Sequence, residues 1–247
     1  MTLPADSHPR QVIALVPVQG KPLYRERLGG KPLLVHTLDA AKQSRLVERI
    51  IVSTEDPDLA ELARGEGAEA PFLRPEELAG SDVPLERVLQ HAVDSIEESE
   101  GRAVDVAVLL EVSHPFRPPG LIDRIVETLL DQDLDSVFVA FEETASFWFQ
   151  DNRGLMPIGE SGHAPRSARK PIYREISGMV CATRGEVIKR GDRLGYRVGM
   201  VPIRGISGRL DVRSKLDLEI AESLLPAWTA ALERDGKGGG GGGGRKD

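Results

Sequence analysis

Short apolar runs alternate with amphipathic stretches along the first half of the chain. The apolar runs lie at residues 12–16, 50–52, 104–110 and 136–140. Each is typical of a β-strand buried on both faces, because such a strand has no polar side. The amphipathic stretches, with apolar residues at helical spacing, lie at 33–41, 57–64, 85–96 and 121–130. Strands and helices in alternation predict βαβ crossovers and a mostly parallel sheet flanked by helices.

The pattern is weaker in the second half of the chain. Residues 144–172 are rich in Gly, Pro, Arg and aromatic side chains and show no clear period, which predicts an irregular insertion. The aromatic triplet at 147–149 fits a dimer contact, a lid over the site or a simple cover for the core. Beyond the insertion, the predicted strands are 176–182 and 196–203, and the predicted helices are 184–190, 214–225 and a short one from Pro226 to Glu233.

The length of 247 residues fits one large α/β domain and leaves little room for two. We assign this domain to residues 11–234. Residues 1–10 are polar, lack the apolar centre of a signal peptide and are predicted to be disordered. Residues 235–247 contain a long glycine run, which cannot bury apolar surface, so we also predict a disordered tail there.

Charge and cysteine content narrow the classes of partner. The formal net charge of -7 argues against a broad basic surface for nucleic acid. Cys181 is the only cysteine of the sequence, which excludes an intramolecular disulfide and argues against a zinc site built on cysteines. No apolar run approaches the roughly 20 residues that span a bilayer. We therefore expect a cytoplasmic protein with no nucleic-acid or membrane partner.

Candidate chemistry begins in the loop after the first apolar run, at residues 17–27. Gly20 would let backbone N–H groups approach a phosphate, and Lys21 and Arg25 would neutralise its charge. A solvated surface loop that happens to be basic explains the same residues equally well. A Walker-type phosphate loop is excluded, because the sequence has no GxxxxGK[ST] pattern.

Polar residues also follow the apolar run at 104–110. They lie beyond the end of a buried parallel strand, where α/β proteins bind ligands, and we favour a functional role for them. In the alternative, Ser113 and His114 only cap the next helix.

Two acidic residues near the last predicted helix differ in expected role. Asp211 is a candidate ligand for Mg²⁺ against a triphosphate, although an Asp before a helix is more often a cap. Asp217 is interpreted as structural. His91 and Cys181 are interpreted as ordinary helix and strand residues.

Five segments between about Val12 and Glu222 carry a family resemblance. They are VIALVP at 12–17 with GGKPL at 29–33, IIVSTED at 50–56, AEAPFLRPEELA at 68–79 with Asp82 after it, LLEVSHPFR at 109–117, and LDVR at 210–213 with DLEIAE at 217–222. Together they resemble the CMP-sialic acid synthetase (acylneuraminate cytidylyltransferase) family, which is similar to the Kdo cytidylyltransferases. The run at 71–79 is long and rarely accidental, so it carries most of the resemblance.

The resemblance implies a Rossmann-like nucleotidyltransferase fold (the nucleotide-diphospho-sugar transferase fold), a homodimer, CTP as substrate and Mg²⁺ as cofactor. Such an enzyme transfers CMP to a nonulosonic (sialic-acid-like) sugar acid and releases pyrophosphate. The implied catalytic residues are Lys21, Arg25 and Asp211, and Asp211 is also the implied metal ligand. The implied nucleotide contacts are Pro17, Gln19, Gly20, Lys21, Ser53 and Asp82. The implied contacts to the sugar acid are Glu111, Ser113, His114, Arg117, Arg166 and Tyr173.

The departures from the family pattern fall at ligand-facing positions. Gln19 stands where the family has Arg, Glu111 replaces a Gln, and Arg213 replaces the second Asp of a "DID" motif. A carboxylate at Glu111 repels an acidic sugar unless it is paired or protonated. Arg213 either pairs with Asp211 or supplies part of the cation's charge. We therefore expect a working cytidylyltransferase; the alternative is a catalytically weak or inactive homologue that acts as a nucleotide-binding or partner protein.

Overall fold

The computed structural model describes residues 11–158 and 170–238, with side chains up to residue 234. Along these residues the strands are β1 (Val12–Pro17), β2 (Arg27–Leu28), β3 (Lys31–Pro32), β4 (Arg49–Ser53), β5 (Val106–Leu109), β6 (Ser136–Glu143), β7 (Phe147–Asp151), β8 (Gly154–Ile158), β9 (Ile172–Glu175), β10 (Cys181–Arg184) and β11 (Val198–Ile203). The α-helices are α1 (Leu33–Lys42), α2 (Pro57–Gly65), α3 (Leu85–Glu100), α4 (Leu121–Asp131), α5 (Gly185–Lys189) and α6 (Lys215–Gly238).

The central sheet has seven strands in the order β11–β6–β10–β5–β1–β4, with β9 paired to β6. Strand β1 is parallel to β4 and to β5, and β11 is parallel to β6. Strand β10 runs antiparallel between β5 and β6, and β9 is antiparallel to β6. The predicted α/β fold with a mostly parallel sheet is therefore confirmed.

Strand β1 shows why its sequence is continuously apolar. Val12, Ala14 and Val16 belong to one core cluster, which also contains residues of α1 and α4. Ile13 and Leu15 belong to a second cluster on the other face, with residues of α3. Full burial of a side chain such as Ile13 contributes about 2 kcal/mol. Both faces of this strand are therefore core, and its carboxyl end is held firmly in place.

The predicted strand at 176–182 is wrong over most of its length, because β10 begins at Cys181. Ile176, Met179 and Val180 are buried as their apolar character requires, but they lie in or directly beside a turn at 177–179. Arg117 donates to the carbonyl oxygen of Met179 at 2.6 Å, which holds that turn against the end of β5. Apolar residues at a buried turn give the same sequence pattern as a buried strand.

The predicted irregular insertion at 144–172 contains regular structure. Strands β7 and β8 form an antiparallel hairpin in which Trp148 lies opposite Pro157 and Phe149 opposite Met156. The prediction failed here because most side chains of both strands are exposed, so no alternation of polar and apolar residues marks them. Strand β9, at the end of the same segment, pairs with the central sheet.

The last helix is also longer than predicted. Helix α6 continues through Pro226 without a break, although a proline removes one backbone hydrogen bond. Leu224, Leu225 and Trp228 pack against the core on both sides of Pro226 and keep the helix in place. The backbone of residues 235–238, predicted as part of a disordered tail, is helical. Residues 1–10 and the rest of that tail lie outside the described residues.

Among the described helices, none is both long enough and apolar enough to cross a membrane. Cys181 is buried in β10, where burial raises the pKa of its thiol to about 11. His91, which lies in α3, packs edge-on against Phe72, which precedes that helix. Both residues thus have the ordinary structural surroundings that were predicted for them.

Candidate active site

A cleft of about 290 Å³ opens at the carboxyl ends of β1 and β5, where α/β proteins bind ligands. Its lining residues come from the loop after β1, from the segment 74–88 and from two loops on the far side: Pro17, Val18, Gln19, Lys21, Tyr24, Arg74, Leu78, Gly80, Ser81, Val83, Leu85, Val88, Glu111 and Arg213. Four of the predicted site residues line this cleft: Pro17, Gln19, Lys21 and Glu111.

The near wall of the cleft is the turn after β1. The amide N–H of Val18 donates to the carbonyl oxygen of Ser53 at 3.0 Å, which continues the pairing of β1 with β4. The side-chain amide of Gln19 donates to Ala79 and Gly80 carbonyl oxygens at 2.9 and 3.2 Å. Gln19 therefore joins the two sides of the cleft, and this bond holds the 74–88 segment in position.

Gly20 lies at the tightest point of this turn. Its N–H donates to a carboxylate oxygen of Glu55 at 2.7 Å. A side chain at this position would put a Cβ atom only 2.6 Å from Asp56 Oδ2, so the close approach requires glycine. The predicted use of the Gly20 N–H for phosphate is not what the structure shows, because the Glu55 carboxylate already accepts from it.

Arg74 forms the floor under the same turn and was not singled out from the sequence. Its guanidinium donates to Val18 O at 3.2 Å and forms a short ion pair with the second carboxylate oxygen of Glu55. The side chain is only 2% exposed, and its Nε has no hydrogen-bond partner within the described residues. The position of this arginine within the segment at 71–79, which carries most of the family resemblance, was the signal that could have identified it.

The two predicted cations of the loop separate in the structure. Lys21 is exposed and lines the cleft, as predicted. Arg25 instead forms a close ion pair with Asp56, and its Nη2 lies 3.5 Å from an oxygen of Asp58. The structure does not bring Arg25 to the cleft, because the first turn of α2 offers it carboxylates nearby.

Two other predicted nucleotide contacts do not line the cleft. Ser53 is fully buried at the end of β4, and its Oγ makes no hydrogen bond within the described residues. Asp82 follows Ser81 and precedes Val83, which do line the cleft, but its own side chain turns towards Gly80. The structure therefore supports neither residue as a direct contact in this conformation.

The far wall is an ion-pair network centred on Arg213. Its Nε donates to both carboxylate oxygens of Asp211, at 3.0 and 2.9 Å, and its Nη2 donates to Glu111 Oε2 at 2.9 Å. Burial raises the pKa of the neighbouring Tyr24 phenol, although the charge of Arg213 opposes that shift. The carboxylate of Glu111 is therefore paired, which removes the expected repulsion of an acidic ligand.

A second pocket of about 180 Å³ adjoins the cleft. Its lining residues are His114, Arg174, Glu175, Ile176, Ser177, Gly178, Gly208, Arg209, Leu210, Asp211 and Arg213. The guanidinium groups of Arg174 and Arg209 lie over the Phe141 ring, at 5.5 and 4.8 Å from its centroid. Neither arginine was singled out from the sequence. Together they make this pocket cationic.

His114 is a buried lining residue of the second pocket. Its Nε2 lies 3.9 Å from Asp211 Oδ1, and its Nδ1 lies 3.4 Å from the carbonyl oxygen of Leu210. Burial, followed by the nearby charge of Arg117, lowers the pKa of His114 to about 4. The imidazole is therefore neutral at pH 7. The predicted role in substrate binding is compatible with this position beside the pocket.

Arg117 and Ser113 lie beneath the site and do not face it. The guanidinium of Arg117 donates to Met179 O at 2.6 Å, to Thr37 Oγ1 at 2.9 Å and closely to Glu111 O. Ser113 is buried, and its carbonyl oxygen accepts from Val212 N at 2.7 Å. The donors of Arg117 are thus taken up inside the protein, and the structure does not place this predicted contact where it faces either cavity.

Two further predicted contacts to the sugar acid are Tyr173 and Arg166. Tyr173 lies on β9 opposite Glu142, is partly exposed and lines neither cavity. Arg166 lies outside the described residues. Asp217 accepts from Arg213 N at 3.0 Å and its N–H donates to Ser214 Oγ at 3.2 Å, which caps α6. Its predicted structural role is confirmed.

The residues present do not fit a Mg²⁺ ion held by the protein. Both oxygens of the implied ligand Asp211 accept from Arg213, and one oxygen of Glu111 does so as well. Within the part of the chain that the structure describes, no group of three His, Cys, Asp or Glu side chains is arranged to hold a metal. A divalent cation at Asp211 would have to displace the guanidinium first.

The sheet order, with two adjoining cavities beyond the strand ends, is that of an α/β ligand-binding fold. The family model for cytidylyltransferases matches residues 18–152, more than half of the chain, and the chain belongs to that family. It is therefore an enzyme that transfers CMP from CTP, and the alternative of an inactive homologue is not favoured.

Comparisons with individual proteins agree with this assignment. The chain is 28% identical to the CMP-N,N'-diacetyllegionaminic acid synthase of Legionella pneumophila over 204 residues, 80% of this chain and 87% of that protein. It is 33% identical to the 2-C-methyl-D-erythritol 4-phosphate cytidylyltransferase of Frankia casuarinae over 231 residues, 87% of this chain and 81% of that protein. The first relative confirms the resemblance to sialic-acid-type CMP synthetases.

A solved structure supports the fold alone. The CMP:2-keto-3-deoxy-manno-octonic acid synthetase complexed with CTP superposes with a TM-score of 0.66 at 14% identity, covering 88% of this chain and 99% of that one. The predicted nucleotidyltransferase fold is confirmed by this match.

Proposed function

We propose that the protein transfers CMP from CTP to a hydroxyl group of a nonulosonic sugar acid. The observation that carries this proposal is the junction of two cavities at Arg213, one large enough for a nucleotide and one cationic. The synthase from Legionella pneumophila, whose name gives a nonulosonic acid as its acceptor, supports this choice of acceptor.

In the proposed reaction, the acceptor oxygen attacks the α-phosphorus of CTP. A new bond forms from that oxygen to phosphorus, and the bond from phosphorus to the bridging oxygen of the leaving group breaks. Pyrophosphate leaves with the electron pair, and the hydroxyl proton passes to a base at the pocket, where Asp211 and neutral His114 both lie. Lys21 lines the nucleotide side and neutralises phosphate charge.

The second pocket suits an anionic acceptor. Arg209 forms no ion pair or side-chain hydrogen bond within the described residues, and only the Phe141 ring supports its guanidinium. Arg174 donates to Gly208 O at 2.9 Å and lies 3.5 Å from a carboxylate oxygen of Glu143. Two guanidinium groups with unused donors are the chemistry that binds a carboxylate or a phosphate.

We include Mg²⁺, a homodimer and a cytoplasmic location in the proposal. Mg²⁺ would supply charge neutralisation to the triphosphate as it does for nucleotides in general. The hairpin β7–β8 exposes Trp148, Phe149 and Leu155 by 53%, 44% and 62%, which suits a surface that a second copy covers. Light scattering of the wild type and of Trp148→Glu tests the dimer. A cytoplasmic location fits the use of CTP.

A second acceptor has support of its own. The relative from Frankia casuarinae acts, by its name, on an erythritol phosphate, and it is more similar over a longer stretch than the Legionella synthase. A phosphate would occupy the same cationic pocket. The two acceptors differ in the group that carries the charge, so an assay can separate them.

Pyrophosphate release tests the proposed function. Wild-type protein is mixed with CTP and Mg²⁺, and then with nonulosonic acids, 3-deoxy-octulosonic acid or 2-C-methyl-D-erythritol 4-phosphate in turn. We expect release with a nonulosonic acid and none without an acceptor. Release with the erythritol phosphate alone would show that this phosphate is the acceptor and that a nonulosonic acid is not. Absence of release with every acceptor would contradict the proposed function. ATP, GTP and UTP serve as controls for the nucleotide.

A further inference from the structure

Arg213 occupies the border between the two cavities. It is the only lining residue that the cleft and the second pocket share within the described residues. A group that passes from a nucleotide in one cavity to an acceptor in the other must be transferred at this border. The guanidinium of Arg213 therefore lies beside the phosphorus that would react, if the proposed function holds.

The guanidinium is oriented before any ligand binds. Asp211 holds its Nε, with both N–O distances near 3 Å, and Glu111 holds its Nη2 at 2.9 Å. Its Nη1 makes no hydrogen bond within the described residues, so donors remain for a phosphate oxygen. Gly178 permits this arrangement, because a Cβ atom there would lie 2.7 Å from the Glu111 carboxyl carbon. The backbone of the 177–179 turn thus closes directly onto Glu111.

The same two carboxylates are the ones on which a divalent cation would depend. Asp211 and Glu111 carry two negative charges, and Arg213 offsets one of them in the place where a metal would bind.

We infer that the guanidinium of Arg213 takes the place of a protein-bound divalent cation in this site. The protein binds no metal of its own at Asp211 and receives Mg²⁺ only with the triphosphate. Arg213 contacts the transferred phosphate and neutralises its developing charge. This inference rests on the proposed function for its catalytic part, whereas the statement about metal binding stands without it.

Mn²⁺ binding by nucleotide-free protein tests the inference directly. Electron paramagnetic resonance measures free Mn²⁺ in titrations of the wild type, Arg213→Asp and Arg209→Ala. We expect no specific Mn²⁺ binding by the wild type, and binding at least about tenfold tighter by Arg213→Asp, which loses a cation and gains a carboxylate. Arg209→Ala removes a nearby cation that does not touch Asp211 or Glu111, so it should behave as the wild type.

Two outcomes would overturn the inference. One is a stoichiometric Mn²⁺ site in the wild type, a measurement that needs no variant; loss of that site in Asp211→Asn would place it at Asp211. The other is a failure of folded Arg213→Asp to gain Mn²⁺ affinity.

The Mg²⁺ dependence of pyrophosphate release gives a second readout. Release by the wild type should saturate once Mg²⁺ matches CTP, whereas release by Arg213→Asp should depend on Mg²⁺ in excess of CTP. A wild type that needs excess Mg²⁺ would overturn the inference. If no acceptor supports release, the proposed function fails, and the Mn²⁺ titrations still decide the question of metal binding.

Discussion

The floor of the site and its rim use the same residue type for different purposes. On the floor, Arg74 and Arg117 are buried and give most of their donors to backbone carbonyl oxygens. On the rim, Arg213 is about half exposed and its partners are carboxylates. A buried guanidinium without its bonds is costly, whereas an exposed ion pair is worth only about 0–1 kcal/mol. The floor therefore supports the fold, and the rim is available for chemistry.

The largest expected effect is on stability and concerns the floor. Arg117→Met should lower the free energy of unfolding by about 3–5 kcal/mol, because several buried carbonyl oxygens lose their donor. Urea denaturation measures this. Arg213→Met is the matched control on the rim and should cost less than about 1 kcal/mol. Equal losses for the two variants would remove the distinction between floor and rim.

The next effect is on catalysis and concerns the rim. Arg213→Ala should lower kcat/KM for CTP roughly 100- to 1000-fold, the range found when one donor to a developing negative charge is removed. Its thermal midpoint should stay close to that of the wild type. Steady-state pyrophosphate release measures kcat/KM, and calorimetry measures the thermal midpoint. An unchanged kcat/KM would mean that Arg213 is only a structural member of the network.

A smaller effect should appear in the pH dependence of stability. His114 has a folded-state pKa of about 4 against an ordinary value of 6.5. As the pH falls from 6.5 towards 4, the unfolded chain takes up a proton that the buried imidazole does not. Stability is therefore lost across this window, by on the order of 3 kcal/mol if the whole shift acts.

His114→Gln provides the comparison for that pH dependence. Its free energy of unfolding should fall less steeply between pH 6.5 and 4 than that of the wild type, as urea titrations at several pH values will show. His36, whose pKa burial also lowers, is present in both proteins and so cancels. Parallel curves for the two proteins would show that His114 titrates normally in the fold.

The smallest effect concerns Lys21. Because this side chain is exposed and forms no ion pair within the described residues, Lys21→Ala should leave stability unchanged. It should weaken CTP binding about tenfold, as calorimetry can measure, through the loss of one phosphate contact. Arg25→Ala is the matched control, because Arg25 is held by Asp56 outside the cleft. A larger loss for Arg25→Ala would restore the role predicted from the sequence.

The sequence predicted the parts of the fold that are governed by burial on both faces. The run at 12–16 was correctly predicted as a buried strand, and helices between such runs follow from their apolar spacing. The direction of β10 could not be predicted, because an antiparallel strand between two parallel ones has the same composition as its neighbours. The hairpin β7–β8 was not predicted, because its side chains are mostly exposed and show no alternation of polar and apolar residues.

The candidate site was predicted only in part, since distant pairing decides it. Lys21 and Glu111 both line the cleft, although the sequence assigned Glu111 to the sugar acid. Arg213 and Glu111 are 102 positions apart, and the sequence left open whether Arg213 pairs with Asp211. Ser53 ends β4 and Arg117 follows β5, as expected, yet both side chains are buried and contact only other parts of the protein. Sequence motifs locate the loops of such a site, whereas the packing beneath them decides which side chains reach it.

The most direct test of the account follows both products at once. Phosphorus-31 NMR of wild-type protein with CTP, Mg²⁺ and a nonulosonic acid should show pyrophosphate and a CMP ester growing in equal amounts, with CTP stable until the acid is added. Conversion of CTP to free CMP, or CTP that stays intact with the acid present, would contradict the assignment.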